Sequence, residues 1–159
     1  MGFDKLTAPL AGRPVLAHVL RAFDSAESIL ELVLVIRADR RAEMSALVEA
    51  ADLRKPVWLA EGGVRRADSV WAGVDATPAA RPVVAVHDGA RPLVQPSQID
   101  GCVALAAERG AVALAAPVTD TLQRAGADGI LTGAVDRDGL WAMQTPQACR
   151  RDLLVRALV

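Results

Sequence analysis

The chemical reading of the chain begins at Asp88. It lies in His87-Asp88-Gly89-Ala90-Arg91-Pro92, directly after the apolar run Pro82 to Val86. A magnesium ion carried by a nucleotide takes one or two protein carboxylates and fills its other positions with phosphate oxygens and water. A carboxylate at a strand end, followed by a glycine that admits close approach, suits that task. Asp-Gly is equally a common turn, so on spacing alone both readings stand. A second loop, Glu61 to Ser69 (EGGVRRADS), joins another short apolar run to a helix start. Gly62 and Gly63 expose backbone N–H and C=O groups that can bond a base edge or an anion. Taken alone, the loop reads more simply as a glycine-rich turn with solvated arginines. Its spacing fits neither a dinucleotide fingerprint nor a Walker loop.

Other polar residues say less by themselves. Lys5 alone is an ordinary surface lysine. His18 falls on the helix face away from Leu16 and Phe23 and reads as solvated. His87 reads as a strand-end core residue. No Ser-His-Asp or Cys-His set can be assembled. Trp58, Trp71 and Trp141 are not spaced as a base-stacking platform.

The elements that must position these loops alternate along the chain. Pro14 to Phe23 reads as a helix with Leu16, Val19, Leu20 and Phe23 on one face, and Leu32 to Ile36 as a strand buried on both faces. Asp39 is placed to cap a helix bearing Met44, Leu47, Val48 and Ala51. Pro56 to Leu59 and Pro82 to His87 read as strands, with a helix from Arg66 to Ala76 between them. A helix over Pro96 to Arg109 and a strand over Ala111 to Val118 follow. This alternation predicts a mostly parallel sheet covered by helices on both faces. Ligands in such sheets bind at the carboxyl ends of the strands, which selects the Asp88 and Gly62-Gly63 loops. The rhythm breaks at Thr119. Thr121 to Arg124 and Ile130 to Val135 flank Asp128-Gly129, a hairpin signal. This hairpin is poor in large apolar residues and is expected to leave the main sheet as an arm. Leu153, Leu154, Ala157 and Leu158 end the chain in a helical pattern.

Bulk composition excludes several classes. The 159 residues suit one domain, and 52% are hydrophobic but only 3% aromatic, so the core must be built of Ala, Val and Leu. Lys plus Arg number 18 against 19 Asp plus Glu. That balance lacks the basic field that nucleic acid binding requires. Cys102 and Cys149 lack metal-ligand spacing and point to a reduced, cytoplasmic setting. No apolar run is long enough to span a membrane.

Together, several segments carry a resemblance. They are Lys5 to Leu16 (KLTAPLAGRPVL), Gly62 to Gly73 (GGVRRADSVWAG), His87 to Pro92 (HDGARP), Ala116 to Thr121 (APVTDT) and Val135 to Gln147 (VDRDGLWAMQTPQ). In this order and spacing the chain resembles the 2-C-methyl-D-erythritol 4-phosphate cytidylyltransferase family. The resemblance implies a Rossmann-like three-layer α/β/α nucleotidyltransferase domain over residues 1–159, with a dimerisation arm at 119–135. It implies CTP and a polyol phosphate as substrates, Mg2+ as cofactor, and a homodimer joined through the arm. On this sequence Lys5 then looks like the triphosphate lysine, Gly63 and Ser69 like part of the cytosine pocket, and Asp88 like the metal carboxylate. Arg91 and Thr121 look like substrate-phosphate contacts, reaching toward the partner's site. Arg137 and Thr145 look like contacts to the methylerythritol phosphate. The implied transfer uses an anionic phosphate oxygen as nucleophile, so catalysis is mainly positioning plus positive charge, supplied by Lys5, metal on Asp88, and Arg137.

The sequence departs from the family pattern in three ways. The family opens with a strand and a Gly-rich loop that wraps the triphosphate; here Met1-Gly2 stand as the tail of such a loop. A C-terminal Asn-x-Lys-x-Thr segment is also lacking. In the cytosine loop, Val64 stands where an acidic residue is frequent. These features lead to the expectation that the sequence is part of a longer polypeptide and does not catalyse alone. The competing readings are a ribitol-5-phosphate cytidylyltransferase, which shares the HD-x-x-RP, DT and QTPQ elements, and a non-catalytic homologue that keeps only the fold and arm.

Overall fold

A computed structural model describes residues 4–159; Met1 and Gly2 lie outside the described residues. The chain begins with a small hairpin, β1 (Pro9–Leu10) against β2 (Arg13–Pro14), turning through Ala11 and Gly12 at positive φ. Helix α1 (Val15–Ser25) follows and buries Leu16, Val19, Leu20 and Phe23. That spacing of three and four residues forms one apolar face, as predicted. His18 bonds the Leu10 carbonyl through Nε2 at 2.7 Å, so it ties helix to hairpin instead of pointing only into water.

Strand β3 (Leu32–Ile36) pairs parallel with β4 (Val57–Glu61). Between them a 3-10 turn, Ala38–Arg40, leads into α2 (Arg41–Ala50). Asp39 does not cap α2; it pairs with Arg37 at 2.6 Å. The extra turn moves the helix start past it. Helix α3 (Arg66–Asp75) then leads to β5 (Val83–Val86), and α4 (Pro96–Arg109) leads to β6 (Ala111–Pro117). Gly110, at φ +94°, ends α4, a backbone position costly for any residue with a Cβ. Strands β7 (Leu122–Ala125) and β8 (Leu131–Val135) pair only with each other among the described residues.

Strand β9 (Trp141–Arg150) is the element that periodicity did not reveal. It lies between β5 and β6 and runs antiparallel to both. The architecture is therefore α/β with mixed pairing: a parallel ladder at β3–β4 and antiparallel ladders around β9. Helix α5 (Arg151–Leu158) closes the chain.

The core is aliphatic, as composition requires. Leu16 and Leu20 of α1 pack with Ile36 and Met44. Val19 and Phe23 pack with Ala26, Val94 and Ile99. Cys102 and Ala106 of α4 lie against Ala148 of β9. A largely apolar cavity of about 550 Å³ is lined by Leu32–Val35 of β3 and Val83–Val86 of β5. The C-terminal end of α1 is fastened by a polar cluster. The buried Asp24 carboxylate accepts the Arg54 and Lys55 backbone N–H groups at 3.0 and 2.9 Å. Lys55 donates through Nζ to the carbonyls of Phe23 and Ala26, where a cation also suits the negative end of the helix dipole.

Candidate active site

Strand β5 delivers His87 and Asp88 at its carboxyl end, and β9 meets them there. The β5–β9 ladder ends at Val86 opposite Gln147. Carried two residues further, that register sets Asp88 against Thr145. The Asp88 N–H accordingly donates to Thr145 Oγ1 at 3.1 Å. Thr145 faces the loop because β9 changes register against β6: Ala113 pairs with Gln147, but Ala115 pairs with Met143. Leu114 alone thus spans Gln144 to Pro146. Such irregularities re-aim a side chain, and here the side chain is a buried threonine.

The hydroxyl makes a second bond, 3.0 Å to His87 Nδ1. His87 Nε2 lies 3.1 Å from the Arg91 carbonyl, which can only accept. The ring is therefore protonated at Nε2, and Nδ1 accepts the Thr145 proton. The imidazole packs against Phe23 with centroids 5.1 Å apart. Burial of the ring pushes the His87 pKa down, and its bond to Arg91 and the Asp88 charge only partly offset this. The ring is accordingly neutral near pH 7.

Asp88 stands between two guanidinium groups. Arg66 donates to Oδ1 and Arg91 to Oδ2, each at 3.0 Å. Partial burial raises the carboxyl pKa, but the hydrogen bonds and charges of Arg91 and Arg66 outweigh it and hold the group ionised below its ordinary value. Among the described residues no cluster of three or more His, Cys, Asp or Glu side chains could hold a metal. The donor set is a single carboxylate with exposed cations beside it. It suits an ion that arrives with phosphate ligands, and does not form a closed protein cage.

The glycine loop stands next to this carboxylate through Arg66, the first residue of α3. A Cβ on Gly63 would lie 2.4 Å from the Asp68 Cβ, and one on Gly62 2.9 Å from Ser69 Oγ. Both glycines are needed for the close approach of loop and helix. Ser69 Oγ lies 3.4 Å from the Gly63 carbonyl, so these two residues share one corner of the loop. Lys5 is exposed in the first turn. Its neighbour Leu6 lies at Gly89, where a Cβ would meet it at 3.1 Å, which puts the Lys5 segment beside the Asp88 loop.

Thr121 and Arg137 form a separate group. Thr121 is exposed just before β7, and Arg137 donates to the Thr119 carbonyl, bracing the base of the hairpin. No hydrogen bond or ion pair joins these residues to Asp88 among the described residues. Thr145, grouped with Arg137 by resemblance, stands instead with Asp88. Sequence reasoning passed over Arg66 and His87. Arg66 was legible only as one of two solvated arginines, and His87 as core. Their roles depend on contacts 22 and 58 residues away in sequence.

The model of the family described as 2-C-methyl-D-erythritol 4-phosphate cytidylyltransferase matches residues 1–159. The chain is 43% identical to the "Bifunctional enzyme IspD/IspF" of Desulfotalea psychrophila over 99% of its length and 40% of that protein. It is 41% identical to the 2-C-methyl-D-erythritol 4-phosphate cytidylyltransferase of Pelotomaculum thermopropionicum, covering 93% of this chain and 63% of the relative. It therefore spans less than two thirds of the length of these relatives. Among solved structures, 4-diphosphocytidyl-2C-methyl-D-erythritol synthase from Anaerococcus prevotii superposes with a TM-score of 0.86 at 25% identity, covering 99% of this chain and 68% of that one.

Proposed function

Because the chain belongs to the 2-C-methyl-D-erythritol 4-phosphate cytidylyltransferase family, we propose that the protein carrying it is a nucleotidyltransferase of isoprenoid biosynthesis. It moves a cytidylyl group from CTP to 2-C-methyl-D-erythritol 4-phosphate, giving 4-diphosphocytidyl-2-C-methyl-D-erythritol and pyrophosphate. The observation that carries this reading is Asp88, held ionised between Arg66 and Arg91 at a strand end in a chain matched along its length.

In this reading an anionic oxygen of the acceptor phosphate attacks the α-phosphorus of CTP. A new P–O bond forms as the bond to the β-phosphate breaks, and its electron pair leaves with pyrophosphate. No protein base is needed, in keeping with a site that offers a carboxylate and several cations. Gly63 and Ser69 hold the cytosine, and Lys5 and Arg66 face the triphosphate. Asp88 would occupy one position of a magnesium ion, which when bound draws charge from the phosphate oxygens. To admit the metal, an arginine must turn from the carboxylate toward phosphate. The exposure of Arg66 and Arg91, 63% and 48%, allows it.

Arg137, Thr121 and Arg91 serve the acceptor side, with the arm reaching the site of a second copy. The exposed side chains of Ile130, Leu131, Trp141 and Met143 favour an arm covered by another subunit, since a two-stranded hairpin is marginal in water. The finer Rossmann-like, three-layer, mostly parallel arrangement belongs to the same proposal. It is supported by the β3–β4 ladder and by β5 and β6, which run the same way on either side of β9. A cytoplasmic setting accords with two free cysteines. Pyrophosphate release from CTP and magnesium, with either methylerythritol phosphate or ribitol 5-phosphate, tests the reading. Turnover with ribitol 5-phosphate alone would reassign the acceptor. Absence of CTP binding by calorimetry would favour a non-catalytic homologue.

A further inference from the structure

We propose that His87 is a positioning residue whose Nε2-protonated ring orients the Thr145 hydroxyl, so that Thr145 latches the Asp88 loop onto β9. The proposal rests on the cytidylyltransferase reading for its kinetic consequences, but the latch itself is a matter of hydrogen bonds. The Arg91 carbonyl fixes the proton on Nε2 at 3.1 Å. Nδ1 is thereby an acceptor and takes the Thr145 proton at 3.0 Å. With its proton so directed, Thr145 Oγ1 presents a lone pair to the Asp88 N–H at 3.1 Å. The loop is closed on its other side by the Arg91 N–H, which donates to the Asp88 carbonyl at 3.0 Å. Both backbone polar groups of Asp88 are therefore fixed, and its carboxylate has little freedom except rotation of the side chain.

This circuit gives Thr145 a task other than holding the acceptor. Its hydroxyl proton is committed to His87, and the residue is only 5% exposed. The two roles have different kinetic signatures. A latch that sets the Asp88 carboxylate should lower kcat and raise the magnesium requirement while leaving the acceptor KM nearly unchanged. A direct phosphate contact should raise the acceptor KM.

The variants are His87→Phe, which keeps a ring against Phe23 but removes both nitrogens, and Thr145→Val, which removes the hydroxyl. His87→Asn and Thr145→Ser retain an acceptor and a hydroxyl, respectively, and should restore function. Leaving a buried partner unsatisfied predicts a loss of about tenfold to a hundredfold in kcat for the first two. Because they break one circuit, the double variant should lose about as much as Thr145→Val alone. Amide hydrogen exchange gives a readout independent of turnover. The Asp88 amide should exchange faster in His87→Phe and in Thr145→Val, while the amides of Val84 and Val86 remain protected. An unchanged Asp88 amide in His87→Phe overturns the latch. So does a rise in acceptor KM in Thr145→Val with His87→Phe silent. Faster exchange in a protein whose parent releases no pyrophosphate would leave the latch standing and overturn the cytidylyltransferase reading instead.

Discussion

Replacing Asp88 with asparagine separates what the carboxylate does for the fold from what it does for the reaction. The change keeps size and shape and removes one negative charge. In the fold that charge faces Arg66 and Arg91 at 3.0 Å each, and both arginines are well exposed. Exposed ion pairs contribute about 0.2–1 kcal/mol each, so losing both costs about 1 kcal/mol. In a domain of this length that lowers Tm by about 2–4 °C. The Asp88 N–H bond to Thr145 survives, because it belongs to the backbone. For the reaction the loss is larger. A metal carboxylate supplies several kcal/mol of charge stabilisation, and 4 kcal/mol is on the order of a thousandfold in rate. The assay is pyrophosphate release at saturating CTP over a magnesium titration, paired with a thermal melt. Turnover within about tenfold of the parent at saturating magnesium would refute the metal role, since that is under 1.4 kcal/mol. A fall in Tm beyond about 10 °C would show that the carboxylate is structural, because exposed pairs cannot supply that much.

Arg137→Ala should raise the acceptor KM strongly and leave CTP affinity nearly unchanged, read by steady-state kinetics and calorimetry; an equal loss of CTP affinity would move Arg137 to the nucleotide side. Removing Arg124 to Thr132 should produce monomers in sedimentation and impair acceptor use through Thr121, and a variant that stays dimeric contradicts the arm's role. The buried Asp24 feels burial that raises its pKa and, more strongly in sum, hydrogen bonds from Lys55 and Arg54 that lower it, for a net depression. Its stabilisation is thus in force above the ordinary carboxylate pKa and is lost as pH falls through the lower folded-state value. Denaturant-derived stability of Asp24→Asn should therefore fall less steeply than that of the parent between about pH 5 and pH 2.

Much of this was legible in the sequence because the relevant signals are local. Leu16, Val19, Leu20 and Phe23 repeat at helical spacing, and Leu32 to Ile36 is an unbroken apolar run; both form the elements predicted. The placement of Asp88 followed from its position after such a run. Strand β9 escaped because Trp141 to Arg150 shows no alternation and contains Pro146, which argues against a central strand. Its pairing is set by β5 and β6, more than 20 residues away, and the register change lets the proline sit outside the ladder. The same change hides the role of Thr145. A threonine in Gln-Thr-Pro-Gln carries no mark of burial, and its partners His87 and Asp88 become neighbours only when β5 and β9 align. Arg66 looked like a solvated helix-start arginine because nothing in its own loop points to a carboxylate 22 residues ahead.

The register change gives β9 a mechanical character. On one side of it, among the described residues, Trp141 to Met143 pair only with β6, next to the β7–β8 hairpin; on the other, Gln147 to Cys149 are held by both β5 and β6. Along β9, the hairpin side joins the doubly paired half through Gln144, Thr145 and Pro146. The middle one of these grips the loop that carries Asp88. The β7–β8 hairpin and the carboxylate thus lie in series along one strand, like two weights on one cord with the threonine as the knot between them.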